Sequence, residues 1–225
     1  MYTQNPLPKI ESVSASGNMA VVDEKVNIRS LAKNYDRLIF APTVYSAQVV
    51  GHFVDEYSKC FKGTPVLKLP IIAMSDDLNV LDDILKVCPN IALMAENIYG
   101  LDYLNDGFEV LAGSNMNITN DYTLTCLKSF GVQDMVGSTE RWCQPLGGLF
   151  RITSGNLVLM TFAHCPYKTI MGSTCDACKY AGTIKLNGGG NDYTLRRYRV
   201  AKCYYELVDS VKTALKGTNE VHDLR

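Results

Sequence analysis

The chain has 225 residues, a net charge of −1 and 47% hydrophobic residues, enough apolar material for a sizeable core. Its length exceeds the ~100–150 residues of a common single domain but suits one α/β barrel-like domain, and its near-neutral charge excludes a global field that would recruit nucleic acid or an acidic membrane. No run of about 18 apolar residues is present to form a transmembrane helix, and the opening Met-Tyr-Thr-Gln-Asn-Pro-Leu-Pro-Lys lacks an apolar signal core, so a reducing, cytoplasmic setting without membrane partners is the default expectation.

Residues 1–35 read as an N-terminal lead-in. Asn-Pro-Leu-Pro at 5–8 is extended, and Ser-Ala-Ser-Gly-Asn at 14–18 is a turn signal whose flanking apolar stretches could pair as a hairpin.

Residues 36–142 alternate strand and helix. Arg-Leu-Ile-Phe-Ala at 37–41 is a short apolar strand, followed by a helix near 43–61 with the stripe Ala47, Val50, Val54, Tyr57, Phe61. A strand at 66–72 precedes a helix capped by Ser75, with Asp76 and Asp77 in its first turn and Leu78, Leu81, Leu85 and Cys88 on its buried face. Strands at 91–95, 108–112 and 132–136 follow, with helices near 97–105 and 120–130 between them, the latter starting at Asn120. Five short apolar strands separated by helices imply parallel βαβ units.

Residues 143–225 change character. Turn signals separate short strands near 147–152, 156–162, 182–187 and 193–199, a helix over 204–216 carries the stripe Leu207, Val208, Val211, Leu215, and the tail after Gly217 is polar and frayed. Asn-Gly-Gly-Gly-Asn at 187–191 lacks the Lys-Ser/Thr of a phosphate loop and reads as a hairpin connection. The fold class is therefore α/β: a partial or closed (β/α) TIM-barrel-like region with a C-terminal, cysteine-bearing, strand-rich subdomain packed on it.

Four cysteines carry the most distinctive chemistry. Cys165 stands in His-Cys-Pro, Cys175 and Cys178 form a CxxC, and Cys203 follows with twenty-four residues between. Thiolates are soft ligands, and four of them close a tetrahedral zinc site or ligate an iron–sulfur cubane. Eight cysteines in a chain this long, four of them clustered, fit metal ligation better than a secreted disulfide framework. Cys60, Cys88 and Cys126 fall on apolar helix faces and read as core thiols, while Cys143, next to the single Trp, is ambiguous. His164 adjoins a ligand and either tunes it or takes an ordinary partner; His52 and His222 read as solvated.

Glu96, Asn97, Asn115, Asn117 and Glu140 each follow an expected parallel strand, where barrel sites are built, or else simply cap helices and turns. Arg197 and Arg199 share one face of a basic, aromatic-interleaved strand with Lys202 nearby, which suits RNA backbone or a stacked base, or a plain solvated face.

From about residue 66 to 212 the chain resembles the C-terminal portion of the collagenase-like peptidase family U-32. The resemblance rests on Leu-Pro-Ile-Ile at 69–72, Ala-Glu-Asn-Ile-Tyr-Gly-Leu at 95–101, Ala-Gly-Ser-Asn-Met-Asn-Ile-Thr-Asn at 112–120, Val-Gly-Ser-Thr-Glu at 136–140, and then His-Cys-Pro, CxxC and Cys203 in order. It implies a (β/α) barrel-like fold and two activities: peptidase action, or oxygen-independent hydroxylation of RNA bases or quinone precursors. In the hydroxylating relatives four cysteines hold a [4Fe–4S] cluster, and the matching ligands here are Cys165, Cys175, Cys178 and Cys203; zinc is the alternative on spacing alone. Two departures bear on activity: the family's GluxPhexxGly signature and its Pro-Ala-Gly opening strand are both missing. The chain then reads as the second half of a larger member or a stand-alone relative of that half, completed by an N-terminal barrel half or a partner protein. Glu140 is the expected acid–base residue, with Asn115 and Asn117 as hydrogen-bond donors and His164 between bowl and metal. The opposing class is a non-catalytic binding module with a structural zinc.

Overall fold

A computed structural model describes residues 17–140, 148–172, 175, 183–214 and 219–225. Over these the architecture is mixed α/β around one ten-stranded sheet. Its first half contains β1 (Asn18–Val22), β2 (Arg37–Phe40), α1 (Ala47–Ser58), β3 (Val66–Lys68), α2 (Ser75–Val87), β4 (Ala92–Ala95), β5 (Val110–Ala112) and α3 (Asp121–Ser129), with a 3-10 helix at Ile98–Leu104 between β4 and β5. The second half contains β6 (Arg151–Phe162), α4 (Pro166–Met171), β7 (Thr183–Gly188), β8 (Asn191–Arg199), β9 (Cys203–Ala214) and β10 (Glu220–Asp223). Strand order is β5-β4-β3-β2-β1-β10-β6-β9-β8-β7. Every pair from β5 to β6 is parallel, including Val66↔Ala92 between β3 and β4, and the pairs β6–β9, β8–β9 and β7–β8 are antiparallel.

The outer edge at β5 does not end in solvent. Ala112 forms a parallel bridge to Met135, and Val136 forms one to Phe150 just ahead of β6. Four backbone bonds hold these bridges: Ala112 N to Asp134 O at 3.0 Å, Val136 N to Ala112 O at 2.8 Å, Phe150 N to Met135 O at 2.9 Å and Gly137 N to Phe150 O at 2.9 Å.

Period-two alternation sorts the strand residues into two cores. Ala20, Val22, Leu38, Phe40, Leu67, Leu93 and Ala95 pack against the helices, where Phe40 stacks on Phe53 of α1 at 4.1 Å. The other face sends Met19, Val21, Ile39, Val66, Met94, Leu111, Val136, Phe150 and Val221 into one cluster. Burial on both faces explains why these strands read as continuous apolar runs. The helices follow from local chemistry. Ser46 caps α1, accepting from Val49 N at 3.2 Å, and Val50, Phe53 and Tyr57 form its buried stripe. Asn120 caps α3 by accepting from Thr123 N at 2.9 Å. In α2 the cap falls one residue before Ser75, at Met74, whose amide donates to Asp77 Oδ2 at 2.9 Å.

Several expectations are corrected. The segment 203–214 is a strand, not a helix. Its Leu207 and Val208 fit a helical stripe, but Tyr204, Tyr205 and the β-branched residues favour a pleated surface, and β6 and β8 pair with it from both sides. The tail after Gly217 is not frayed, because β10 pairs in parallel with β1 and β6. The strand after the 14–18 turn is no hairpin arm: β1 lies mid-sheet, parallel to β2 and β10. The two strands expected at 147–152 and 156–162 are one strand, β6, in which Gly155 takes φ +116° and a Cβ would sit 2.5 Å from Asp223 O. The 66–72 strand stops at Lys68, before Pro70. The glycine connection at 189–190 is a tight hairpin turn, both residues having positive φ. Cys88 is buried, Cys60 half-buried and Cys126 exposed, since α3 buries only Leu124 and Leu127. His52 is exposed, but His222 is half-buried in β10, between Tyr35 and Glu220.

Candidate functional site

Four of the strands that build the inner cluster continue two residues further to a charge. Val21 leads to Asp23, Val66 to Lys68, Met94 to Glu96 and Val221 to Asp223, all at the C-terminal ends of parallel strands. A charged rung therefore crowns the apolar one. Lys68 Nζ lies 3.0 Å from Glu96 Oε1, with the two side chains 14% and 2% exposed. Glu96 Oε2 accepts from Asn115 N at 3.1 Å and Asn115 Nδ2 at 2.8 Å. Gly113 makes room for this carboxylate, because a Cβ there would sit 2.5 Å from it.

The antiparallel extension supplies the rest. Arg196 of β8 and Glu206 of β9 are cross-strand neighbours, with Nε to Oε2 at 3.1 Å. Arg225 donates to Asp223 through Nε at 2.9 Å and Nη2 at 2.6 Å, and its Nη1 lies 3.7 Å from Glu206. Arg196 Nη2 lies 3.8 Å from Asp223, which closes the network. Burial alone would raise the Asp223 and Glu206 pKa values, but the charges of Arg225, Arg196 and Lys68 outweigh it, and both carboxyls are held below their usual range. For Arg225 the order is the same: burial lowers its pKa, and the Asp223 and Glu206 charges overturn that and raise it. Burial and the neighbouring Arg225 lower the Arg196 pKa. Three cations, Lys68, Arg196 and Arg225, are thus paired with three anions, Glu96, Glu206 and Asp223, and the buried Asp23 lies beside them. Ions this far from water persist only when matched and hydrogen-bonded.

Three concavities meet at this network. A cavity of about 30 Å³ touches Asp23, Tyr45, Lys68, Arg196, Tyr198 and Arg225. A second, of about 50 Å³, touches Lys68, Glu96, Asn115, Thr139, Asp223 and Arg225. A cleft of about 640 Å³ between the extension and the loops after β1 and β2 touches Asp23, Thr43, Arg196, Arg197 and Arg225. Arg225 lines all three.

The residues expected from sequence scatter around this centre. Glu96 and Asn115 are in it. Asn97 caps the 3-10 helix, accepting from Ile98 N at 2.6 Å. Asn117 is exposed with φ 54°, a left-handed position that Asn tolerates. Glu140 is exposed, its amide 3.2 Å from Ser138 Oγ, and the residue of that segment that lines the 50 Å³ cavity is Thr139. Arg199 is exposed at the end of β8, where its backbone meets Thr43 and Tyr45. Sequence reasoning missed Lys68, Arg196, Glu206, Asp223 and Arg225. The signal that finds the strand-end members is a charge two places beyond an inward apolar residue.

Cys165 and Cys203 lie on the Tyr205 side of β9. Cys165 Sγ is 3.0 Å from Tyr205 Oη. Burial raises the Tyr205 pKa, and the Cys165 thiol bonded to it and the nearby Cys203 thiol raise it further. Cys203 and Tyr205 leave the same face of β9, opposite Tyr204 and Glu206. Cys175 is exposed, and Cys178 and Cys143 lie outside the described residues. His164 is exposed and bonds Thr169 Oγ1. Among the described residues no group of three or more metal-ligating side chains comes together. Cys165 and Cys203 are both near Tyr205, but among the described residues they do not come together as a ligand set.

Comparison of the chain with protein-family models, with curated proteins and with solved structures returned no match. Among the described residues, no helix is long and apolar enough to cross a membrane.

Proposed function

We propose that this chain is a U-32-like (β/α) barrel-like domain whose strand-end bowl binds substrate and whose four cysteines hold a [4Fe–4S] cluster or Zn²⁺, acting in RNA base hydroxylation. Support for barrel closure comes from the parallel bridges through Met135 and Val136, and from the inner cluster drawing on β1 to β5, Val136, Phe150 and Val221. Eight parallel segments around one apolar centre are the count of a (β/α)₈ barrel.

The observation that carries a binding role is the charge-matched network of Lys68, Glu96, Arg196, Glu206, Asp223 and Arg225 at the strand ends, opening on the 640 Å³ cleft. Sites on such folds are built at that end. Cys165 and Cys203, both near Tyr205, would supply two metal ligands, with Cys175 and Cys178 from the following segment. A cluster there supplies one-electron transfer; zinc supplies a rigid cross-link.

The second reading is a binding module with a structural zinc, and one observation favours it: Cys203 leaves β9 on the face opposite Glu206. Peptidase action has less support. His164 is bonded to Thr169, His222 to Tyr35 and Glu220, and His52 is exposed, so no histidine is paired with a Ser or Cys nucleophile among the described residues.

The test is purification without oxygen, followed by metal analysis and a visible spectrum. The enzyme reading expects iron and sulfide in cubane proportion; the module reading expects about one zinc per chain. Replacing Cys165 and Cys203 together with Ser should release the metal. A metal-free wild-type protein, or a double variant that keeps its metal, overturns the cysteine site. For the substrate, deleting the gene should remove a hydroxylated nucleoside from cellular RNA, and unchanged RNA composition would remove that activity.

A further inference from the structure

A fourth concavity, of about 470 Å³, lies outside the charge network, between the loop after β1 and α1. Ile28, Phe40 and Phe53, each 8% exposed or less, form its floor, and the half-buried Val26 and Val49 its walls. Its charged lining is Asp23, Glu24 and Glu56 against Arg29. Arg29 Nη2 lies 2.9 Å from Glu56 Oε2, and Lys59 Nζ lies 2.6 Å from Glu56 Oε1, so both oxygens of Glu56 are taken. Glu24 uses only one of its two. Oε1 accepts from Thr43 N at 2.8 Å, from Thr43 Oγ1 at 3.3 Å and from Val44 N at 3.4 Å, while Oε2 has no hydrogen bond or ion pair among the described residues. Asp23 accepts from Lys25 N through Oδ1 at 2.9 Å and likewise has no ion pair among the described residues. Asp23 also touches two of the other concavities, beside Arg225, whereas Glu24 lines this cleft alone among the four.

We infer that this cleft binds a small organic amine, whose ammonium pairs with Glu24 Oε2 and whose apolar body lies between Val26 and Val49. An ammonium only donates, and a carboxylate oxygen without a donor is the acceptor it needs. With Arg29 held by Glu56, two carboxylates remain in excess in the lining, which favours a cation over a neutral molecule of the same shape and disfavours an anion. Glu24 is exposed at the mouth, so the ammonium keeps part of its hydration and the charge supplies selectivity more than affinity. The volume falls within the several hundred Å³ of ordinary small-molecule sites. The inference goes beyond the proposed function: it uses none of the cysteines and none of the paired charges at the strand ends.

The experiment titrates the full chain with three probes of one shape: phenethylamine, 2-phenylethanol and 3-phenylpropanoate. Amide NMR shifts locate the binding, at about pH 8, where an alkyl ammonium is charged and an ordinary imidazole is not. Phenethylamine should bind tightest and phenylpropanoate weakest, with shifts centred on residues 24–29 and 48–56. Added salt should weaken the amine and leave the alcohol unchanged. Glu24→Gln keeps an oxygen for Thr43 and Val44 but loses the charge. It should weaken the amine about three- to five-fold, with the alcohol unchanged and Tm near that of wild type. Gln48→Lys, at an exposed lining position of α1, adds a cation and should weaken the amine in the same sense. Alcohol or phenylpropanoate binding as tight as the amine overturns the inference. So does an unchanged amine affinity in Glu24→Gln or, should that variant not fold, in Gln48→Lys. Shifts centred elsewhere, or no saturation by any probe up to its solubility limit, overturn it too.

Discussion

The two halves of the sheet are held together by different physics. From β1 to β5, strands of three to five residues bury apolar side chains on both faces. From β6 to β10, strands of up to twelve residues bury charges, and Arg196, Glu206, Asp223 and Arg225 are each 13% exposed or less. Apolar burial is indifferent to pH and tolerant of exchange among hydrophobes. A buried ionic network is neither, and it gives directed donors and acceptors at a fixed place. The first half contributes Lys68 and Glu96 at its strand ends, but the carboxylates held below their ordinary range, Glu206 and Asp223, are in the second, which is thus expected to be the more acid-sensitive part of the molecule.

The largest expected effect tests that contrast directly. Glu206→Ala leaves Arg196 and Arg225 short of a counter-ion and should cost about 3–5 kcal/mol by urea denaturation. Leu93→Ala, a fully buried side chain of β4, should cost a similar 2–5 kcal/mol or so through the cavity it opens. The two differ in pH dependence. Asp223 and Glu206 have folded pKa values below their ordinary 3.8 and 4.5, so the unfolded chain takes up protons first. Their contribution is complete above about pH 5 and is lost as pH falls through 4 toward the folded values. Wild type and Leu93→Ala should therefore lose stability on acidification in parallel, whereas Glu206→Ala should lose less. A loss as steep in Glu206→Ala as in wild type would place the acid-sensitive groups elsewhere.

Asp77 joins the halves. It is fully buried in α2, and it accepts from Ala201 N at 3.0 Å and from the Tyr204 hydroxyl, both at the β8–β9 turn, as well as from its own cap at Met74. Asp77→Ala leaves three donors without a partner and should cost about 2–4 kcal/mol, with hydrogen exchange accelerating first at the start of β9. Uniform acceleration across both halves would mean that the joint is not local. Gly113→Ala should cost about 1–3 kcal/mol, because the new methyl meets the Glu96 carboxylate and pushes it off Lys68. Lys68→Met in that background should add less than it does in wild type, since the partner is already displaced; full additivity would refute the coupling.

The contrast also explains what the chain reveals in one dimension. Segments such as Arg37–Phe40 and Ala92–Ala95 are legible because burial on both faces leaves uninterrupted apolar letters between helix signals. Glu220–Asp223 is not: one apolar residue, Val221, flanked by Glu, His and Asp looks like a solvated tail, and only β1 and β6 on either side make it a strand. Cys203–Ala214 misleads because Leu207 and Val208 satisfy a helical and a pleated period alike. Of the site, Glu96 and Asn115 are visible as strand-end polar residues. Lys68, Asp223 and Arg225 look like surface charges, since their burial depends on partners distant in sequence. The cysteine spacing makes the thiols conspicuous, yet it carries no information about which face of β9 they occupy.

The smallest expected effect is a gain. Thr153 of β6 is 1% exposed, and its hydroxyl, like those of Tyr57 and Tyr198, has no hydrogen-bond partner. It lies one residue from Ile152, which packs on the inner cluster, so its own side chain leaves the opposite face of the strand. Thr153→Val keeps the β-branched shape and the strand preference while removing the orphaned oxygen. Desolvating that hydroxyl without a partner costs the wild type about 1–3 kcal/mol, and Val recovers part of it, so Thr153→Val should be stabilised by up to about 1 kcal/mol. The same logic applied to Tyr198 makes Tyr198→Phe no less stable than wild type. The two orphans differ in position: Tyr198 lines the 30 Å³ cavity, and Thr153 is not among the residues lining the three concavities. Thermal denaturation of both variants decides it. Thr153→Val losing stability would mean that its hydroxyl is satisfied by a buried water, and such a water would then need to be counted at Tyr198 too.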